Sequence, residues 1–313
     1  MKKVGIIGGA GFIGSHITKK FLAEGFKVRV SSTDITNEAK YRHLKSFPNA
    51  SNLEIFSLNV ENKDQLKLFL QDCQIVIHGG TPFKLDVQNP ETELFRPTVQ
   101  GTKNFLELAQ QTSTVEKVVF LASIAAYNSN FPMPADGKLP NATYSEAEAP
   151  FFSEASHPYG QAKYVANQTV NQFLKDHPNL PFEVTSVSPV LVIGKPLSKR
   201  EDTTSGGLQF LFKNKIAPNP FVQMLFDTDA EFAVVGVKDV ADGIYKVSIT
   251  TGIHGDNYIL SSESWKISAI SAMLNHQIPK GEGRVVYKND LAKQRLNMTF
   301  NPAIIPLNEY GRS

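Results

Sequence analysis

The chain has 313 residues, 41% hydrophobic and 20% charged, enough to bury one large α/β core with a smaller lobe beside it. A formal net charge of +2 exerts no broad pull toward nucleic acid or a membrane surface. The densest charged runs, Lys2-Lys3 and Lys199-Arg200-Glu201-Asp202, are short enough to be solvated surface.

The first half alternates short apolar runs with amphipathic stretches. Residues 4–7 predict a buried strand and 12–24 a helix, with Gly25 as its stop. Strands follow at 28–31 and 53–58, then a helix over 64–70. Cys73, the single cysteine, excludes an intrachain disulfide and reads as a small buried thiol beside the strand at 75–77. A long helix lies within 90–111, and a fifth strand covers 118–122. This alternation predicts a parallel sheet with helices on both faces. Residues 128–157, rich in Asn, Pro, Ser and Ala, read as loop, and 159–174 as helix. Strands at 183–188 and 190–193 flank Pro189 as a break, and the polar segment 195–207 reads as a lid. The opening residues lack the apolar core and cleavage site of a signal peptide, and no stretch approaches the ~20 apolar residues of a membrane span. The expected compartment is the cytoplasm, with neither membrane nor nucleic acid as a partner.

The strongest local pattern is Val4-Gly-Ile-Ile-Gly-Gly-Ala-Gly-Phe-Ile-Gly14, in which Gly8, Gly11 and Gly14 stand between a strand and a helix. Glycines there allow a tight turn, close approach of backbone to a pyrophosphate, and close packing of helix on strand. The N–H groups of Phe12, Ile13 and Gly14 would face the phosphates at the positive end of the helix. With a second strand in the expected place, the pattern predicts a nicotinamide dinucleotide site. The end of that second strand, Arg29-Val-Ser-Ser-Thr-Asp34, leaves NAD and NADP open. Asp34 could bond a ribose diol or simply cap the next segment, whereas Ser31, Ser32 and Thr33 could donate to a 2′-phosphate with Lys40 or Arg42 as the cation.

Tyr159-Gly-Gln-Ala-Lys163 opens a helix, and positions i and i+4 share a face. A lysine ammonium beside a tyrosine favours the phenolate, which suits Tyr159 to exchange a proton with an alcohol or carbonyl oxygen. Ser123 sits at the carboxyl end of the fifth strand, where doubly wound sheets place their ligands, and could hydrogen-bond the same oxygen. His16, His78 and the other five histidines show no metal-ligand spacing.

The phosphate turn, the strand-end serine and the Tyr-Lys pair, in this order over nearly the whole chain, resemble the extended short-chain dehydrogenase/reductases. Within them the chain is most similar to the dihydroflavonol reductase and cinnamoyl-CoA reductase branch. Residues 8–16, His78-Gly-Gly-Thr-Pro82, Asn89-Pro-Glu-Thr-Glu-Leu-Phe-Arg-Pro-Thr-Val-Gln-Gly101, 118–123, 159–163 and 189–196 carry the likeness. The resemblance implies a Rossmann-type doubly wound α/β fold, with a dinucleotide domain over 1–188 and a mainly substrate-binding lobe over 189–313. It implies Ser123, Tyr159 and Lys163 as the catalytic set. It implies that Gly79, Gly80 and Thr81 run beside the cofactor, that Asn59 and Val60 lie near the adenine, and that Pro189 and Val192 meet the nicotinamide end. Thr98 stands where many members carry a fourth, asparagine, site residue, and Asn128 where plant reductases place a substrate-facing asparagine. A homodimer through the helices within 90–111 and 159–174 is implied by the same analogy. Ile7, Asn59, Thr33 and Gly236 depart from the usual Thr, Asp, Arg and His.

The expected reaction is hydride transfer between NADP or NAD and a small carbonyl or alcohol. Nucleotide-sugar epimerisation or dehydration is the alternative, and a non-catalytic dinucleotide sensor the third. Leu191 and Phe232 occupy positions where sugar-nucleotide enzymes of the family place an Asn and an Arg for a diphosphate. Phe131, Met133, Phe151, Phe152, Phe221, Met224 and Phe226 are candidates for an apolar pocket.

Overall fold

In the computed structural model, residues 1–79, 87–139, 141–198 and 204–312 are described. Seven parallel strands form the main sheet: β1 (Lys3–Ile7), β2 (Lys27–Ser32), β3 (Leu53–Ser57), β4 (Ile75–His78), β5 (Lys117–Leu121), β6 (Glu183–Pro189) and β9 (Asn257–Leu260), in the order β3-β2-β1-β4-β5-β6-β9. The order reverses between β1 and β4, the point at which open α/β sheets open a crevice at their carboxyl ends. Register there pairs Ile7 with His78, and the Gly79 N–H donates to the Ile7 carbonyl at 3.1 Å.

Side chains alternate faces along each strand, as a period of two requires. Val4 and Ile6 of β1, Ile75 and Ile77 of β4 and Val119 of β5 point to one face, where α1 (Phe12–Ala23) and α7 (Val237–Ile249) cover them. Val76, Val118 and Phe120 point to the other, against α2 (Lys63–Leu70), α3 (Gly101–Gln110) and α4 (Pro158–Asp176). The helix expected within 90–111 is continuous but changes character. Residues Glu91–Gln100 form wide π-helical turns before α3 begins. Pro97 lies inside them; it lacks an N–H and its ring crowds the carbonyl one turn earlier, so the regular ladder is interrupted.

β6 runs through Pro189, the expected break and one residue beyond the expected strand end, because a strand end does not need the N–H that proline lacks. At Val190 the chain leaves the main sheet. β7 (Leu191–Ile193) then pairs in parallel with β8 (Glu231–Gly236), which pairs antiparallel with β10 (Glu263–Lys266). This small sheet packs with α5 (Thr204–Asn214), α6 (Pro220–Asp227), α8 (Ile267–Leu274) and α10 (Ile304–Gly311) around Phe212, Leu225 and Met273. α9 (Asp290–Leu296) follows α8 and packs beside β9. Part of the lid expected over 195–207 is therefore helix, since α5 begins at Thr204; residues 199–203 of it lie outside the described residues. No helix of the described residues is long and apolar enough to cross a membrane.

Candidate active site

The turn after β1 is shaped by two glycines. Gly8 has φ of +81°, and its N–H donates to Ser31 Oγ at 2.9 Å, which ties the turn to the end of β2. A Cβ on Gly14 would stand 2.0 Å from the Gly8 carbonyl oxygen, so the first turn of α1 lies directly on the loop. No side chain caps α1, and its first turn carries no acidic residue. Its leading N–H groups and positive end open into a cleft of about 750 Å³.

That cleft runs along the carboxyl ends of the strands. It is lined by Gly8, Gly11, Phe12, Ile13 and Gly14 from the turn, by Ser31, Ser32, Thr33 and Lys40 past β2, and by Asn59 and Val60 past β3. Gly79, Ser123, Tyr159, Lys163, Pro189 and Val192 continue it. The sequence candidates thus converge in one place, with four exceptions besides Gly80 and Thr81, which lie outside the described residues. Asp34 is turned away: its Oδ1 accepts from the Thr36 N–H at 2.9 Å and the Thr36 hydroxyl at 2.6 Å, a turn cap that holds the carboxyl below its usual range. Arg42 is exposed and does not line the cleft. Asn128 is fully buried and does not line the cleft; its Nδ2 donates to the Met133 carbonyl at 2.8 Å and Tyr287 Oη at 3.0 Å, and its Oδ1 accepts from the Asn130 N–H. Thr98 is buried in a small cavity beneath Lys163.

Ser123 ends the run of β5 in extended backbone, and its Oγ accepts from the Ala125 N–H at 3.2 Å. Its hydroxyl is also hydrogen-bonded with that of Tyr159. Pro158 starts α4 with its preset φ, and His157 caps it, Nδ1 accepting from the Tyr159 N–H at 3.2 Å. A Cβ on Gly160 would lie 2.4 Å from the Ser129 carbonyl oxygen, so the helix start and the 129–132 loop are pressed together around Tyr159. Lys163, one turn on, places Nζ 5.9 Å from the centre of the Tyr159 ring.

Burial dominates the acidities. It pushes the Tyr159 phenol up to about 12, partly offset by Ser123, and the Lys163 ammonium down to about 8. The expected lowering of Tyr159 by Lys163 is not what results, because both groups are removed from water and desolvation disfavours the charged form of each.

The far wall of the cleft is apolar: Phe131, Pro132, Leu191, Leu208, Phe221 and Phe232. Met133, Met224 and Phe226 instead pack into the small-sheet core, Phe151 packs against the main core, and Phe152 is 37% exposed against Tyr164. Ser129, Pro132, His157 and Leu208 line the cleft with no pattern in the sequence to mark them, since tertiary packing of the 129–132 loop, the start of α4 and α5 brings them there. Among the described residues lining the cleft, Lys40 and Lys163 are the cations and there is no carboxylate.

The model of the NAD dependent epimerase/dehydratase family matches residues 4–260. The chain is 25% identical over 306 residues to anthocyanidin reductase of Arabidopsis thaliana, covering 94% of this chain and 88% of that one. It is 27% identical over 256 residues to cinnamoyl-CoA reductase CAD2 of Medicago truncatula, covering 80% and 74%. In fold it resembles yeast methylglyoxal/isovaleraldehyde reductase Gre2 complexed with NADPH, with a TM-score of 0.82 at 23% identity over 99% of this chain and 97% of that one.

Proposed function

Because the chain belongs to the NAD dependent epimerase/dehydratase family, we propose that it is an NADPH-dependent reductase of small apolar aldehydes or ketones, with Tyr159 as the general acid. The observation that carries this reading is one cleft joining the glycine turn to Ser123, Tyr159 and Lys163 and ending in an apolar wall.

The residues present fit a dinucleotide. The Gly8–Gly14 turn, which lies so close on α1 that a Cβ at Gly14 would strike its backbone, and the uncapped start of α1 suit a pyrophosphate. Thr33 and Lys40, with Asp34 turned away and no carboxylate among the described residues of the lining, suit a 2′-phosphate better than a bare ribose diol, and Ser32, whose hydroxyl donates to the Asp34 carbonyl at 2.9 Å, shapes the same end. When bound, the nicotinamide supplies the hydride.

The chain's own residues then handle the oxygen. Ser123 and Tyr159, already hydrogen-bonded to one another, orient and polarise the carbonyl. With its pKa near 12, Tyr159 holds its proton at neutral pH and is poised to donate it. A nascent alkoxide is a far stronger base than a phenolate, so the transfer runs downhill. Lys163, as the ammonium, stabilises the phenolate left behind.

Leu191 and Phe232 stand in the wall where a sugar nucleotide's diphosphate would need polar anchors, which weighs against epimerisation. The complete Ser-Tyr-Lys set weighs against a sensor without catalysis. The test is a fluorescence titration with NADPH and NADH, then a panel of aldehydes, ketones and UDP-sugars with the tighter cofactor. Tighter NADPH binding with carbonyl-dependent oxidation supports the reading. Tight NAD binding with UDP-sugar epimerisation and no carbonyl turnover overturns it.

A further inference from the structure

Lys163 has a second face, turned away from the cleft. There it lines a separate cavity of about 30 Å³ with His78, Thr98, Thr102, Asn167 and Ser186. A space of ~10–15 Å³ suffices for one water molecule when polar groups surround it.

His78 ends β4 and is 2% exposed, its ring wedged between Phe105 and Phe120 at 4.8 Å and 5.3 Å. Burial and the nearby Lys163 charge hold its pKa down to about 4, so the imidazole is neutral. The proton is assigned to Nδ1, the ring nitrogen beside the residue's own main-chain carbonyl. Nε2 is then a bare acceptor, buried, with no hydrogen-bond partner among the described residues. Such an acceptor is costly to bury unless something donates to it.

The other groups around the cavity complete the requirement. Lys163 has N–H donors and no acceptor. The Thr102 hydroxyl spends its hydrogen on the Thr98 carbonyl at 2.7 Å, which leaves its lone pairs as acceptors. One water can accept from Lys163 and donate to both His78 Nε2 and Thr102 Oγ1. Among the described residues lining the cavity, His78 and Lys163 are the only ionisable groups, and Tyr159 faces Lys163 from the cleft side.

We propose that His78 and Lys163 hold a water molecule between them, and that His78 is thereby a positioning residue for the Lys163 ammonium. The water restrains Nζ from below and favours its charged form, so the cation stays in place under Tyr159. The kinetic part of this inference rests on the reductase reading, whereas the water itself does not.

Two experiments test it. A crystal structure of the cofactor complex at a resolution that reveals water should show one within hydrogen-bond reach of both His78 Nε2 and Lys163 Nζ. A dry cavity overturns the inference and leaves the reductase reading untouched. For the kinetic role, His78→Leu removes the acceptor and His78→Gln restores one. The alkaline limb of kcat/KM should move down by about one pH unit in His78→Leu, with kcat lower by roughly tenfold and carbonyl KM little changed, and return toward the parent value in His78→Gln. Equal profiles for His78→Leu and the parent, or equal damage by both substitutions, would mean that His78 only fills space. If neither variant folds, the crystallographic water decides alone.

Discussion

Tyr159 and Lys163 stand one helical turn apart, and burial moves their acidities in opposite directions, the phenol up to about 12 and the ammonium down to about 8. In the reductive direction both shifts leave the proton on the phenol at neutral pH. Tyr159→Phe removes that proton and little volume. Turnover should fall by ~10²–10⁴-fold, the range for loss of a general acid, while NADPH affinity stays within a few-fold. Steady-state kinetics beside a fluorescence titration check this, and unchanged turnover would remove Tyr159 from the chemistry.

The same pair sets an alkaline limit. Lys163 is lowered, so its cation is lost as pH rises through about 8, well below the value for a solvated lysine. Reductase activity should decline above that pH, with NADPH kept saturating. Lys163→Arg, which remains protonated, should flatten the decline even as it lowers kcat through poorer fit. A pH–rate profile from 6 to 10 is the measurement, and a limb in the same place in both proteins would assign it to another group.

The glycine turn separates a folding role from a binding role. At Gly14 a Cβ would meet main-chain atoms at 2.0 Å and 2.7 Å, and nothing there can yield without moving the loop or α1. At Gly11 the nearest atom to a Cβ is 3.3 Å away, and the residue lines the cleft. Gly14→Ala should therefore lower the thermal midpoint, by several degrees if the strain costs a few kcal/mol in a chain of this size. Gly11→Val should melt close to the parent yet lose dinucleotide binding, because its methyls enter the space for phosphate. Melting curves with a titration of each variant distinguish the two roles.

How far the site was legible follows the range of the interactions that build it. Gly8, Gly11 and Gly14, or Tyr159 and Lys163, are placed by spacing within one turn or helix, and the structure brings them together as that spacing implies. Strands β1 to β6 were legible for the same reason, since apolar runs and breakers are local. Asn128 was not legible: its amide is claimed by Tyr287, 159 positions later, and no local pattern announces that bond. β7 was legible as a strand, but its partner was not, because its pairing depends on β8 more than thirty residues on. His78 showed as a strand end, but its Nε2, without a partner among the described residues, is visible only with Phe105, Phe120 and Lys163 packed around it.

Cofactor choice is the next expectation. Lys40 Nζ donates to Thr33 Oγ1 at 3.2 Å, and both line the cleft beside Ser32. Lys40→Glu should weaken NADPH by at least tenfold and leave NADH within a few-fold, since one charge-assisted phosphate contact is worth about 1.5–3 kcal/mol. Asp34→Ala should loosen the 34–36 turn with little effect on either cofactor, because the carboxylate is spent on Thr36. Parallel titrations of the two variants read this directly; a large NADH loss in Asp34→Ala would return that residue to the ribose.

Acid sensitivity rests on two buried histidines. His16 lies on α1, where its Nε2 donates to the Lys195 carbonyl at 3.0 Å, and burial lowers its pKa to about 4, as it does for His78. In the unfolded chain each titrates near 6.5. Between pH 6.5 and about 4 the unfolded state takes up a proton at each that the folded state refuses, so stability falls as pH falls through that window. Shifts of this size correspond to up to roughly 3 kcal/mol per histidine, fully lost only near the lower value. Denaturant midpoints should drop from pH 7 to 4.5 more steeply in the parent than in His16→Gln, whose amide can still donate to Lys195 and takes up no proton. Parallel curves for the two proteins across that window would show that His16 is protonated alike in both states.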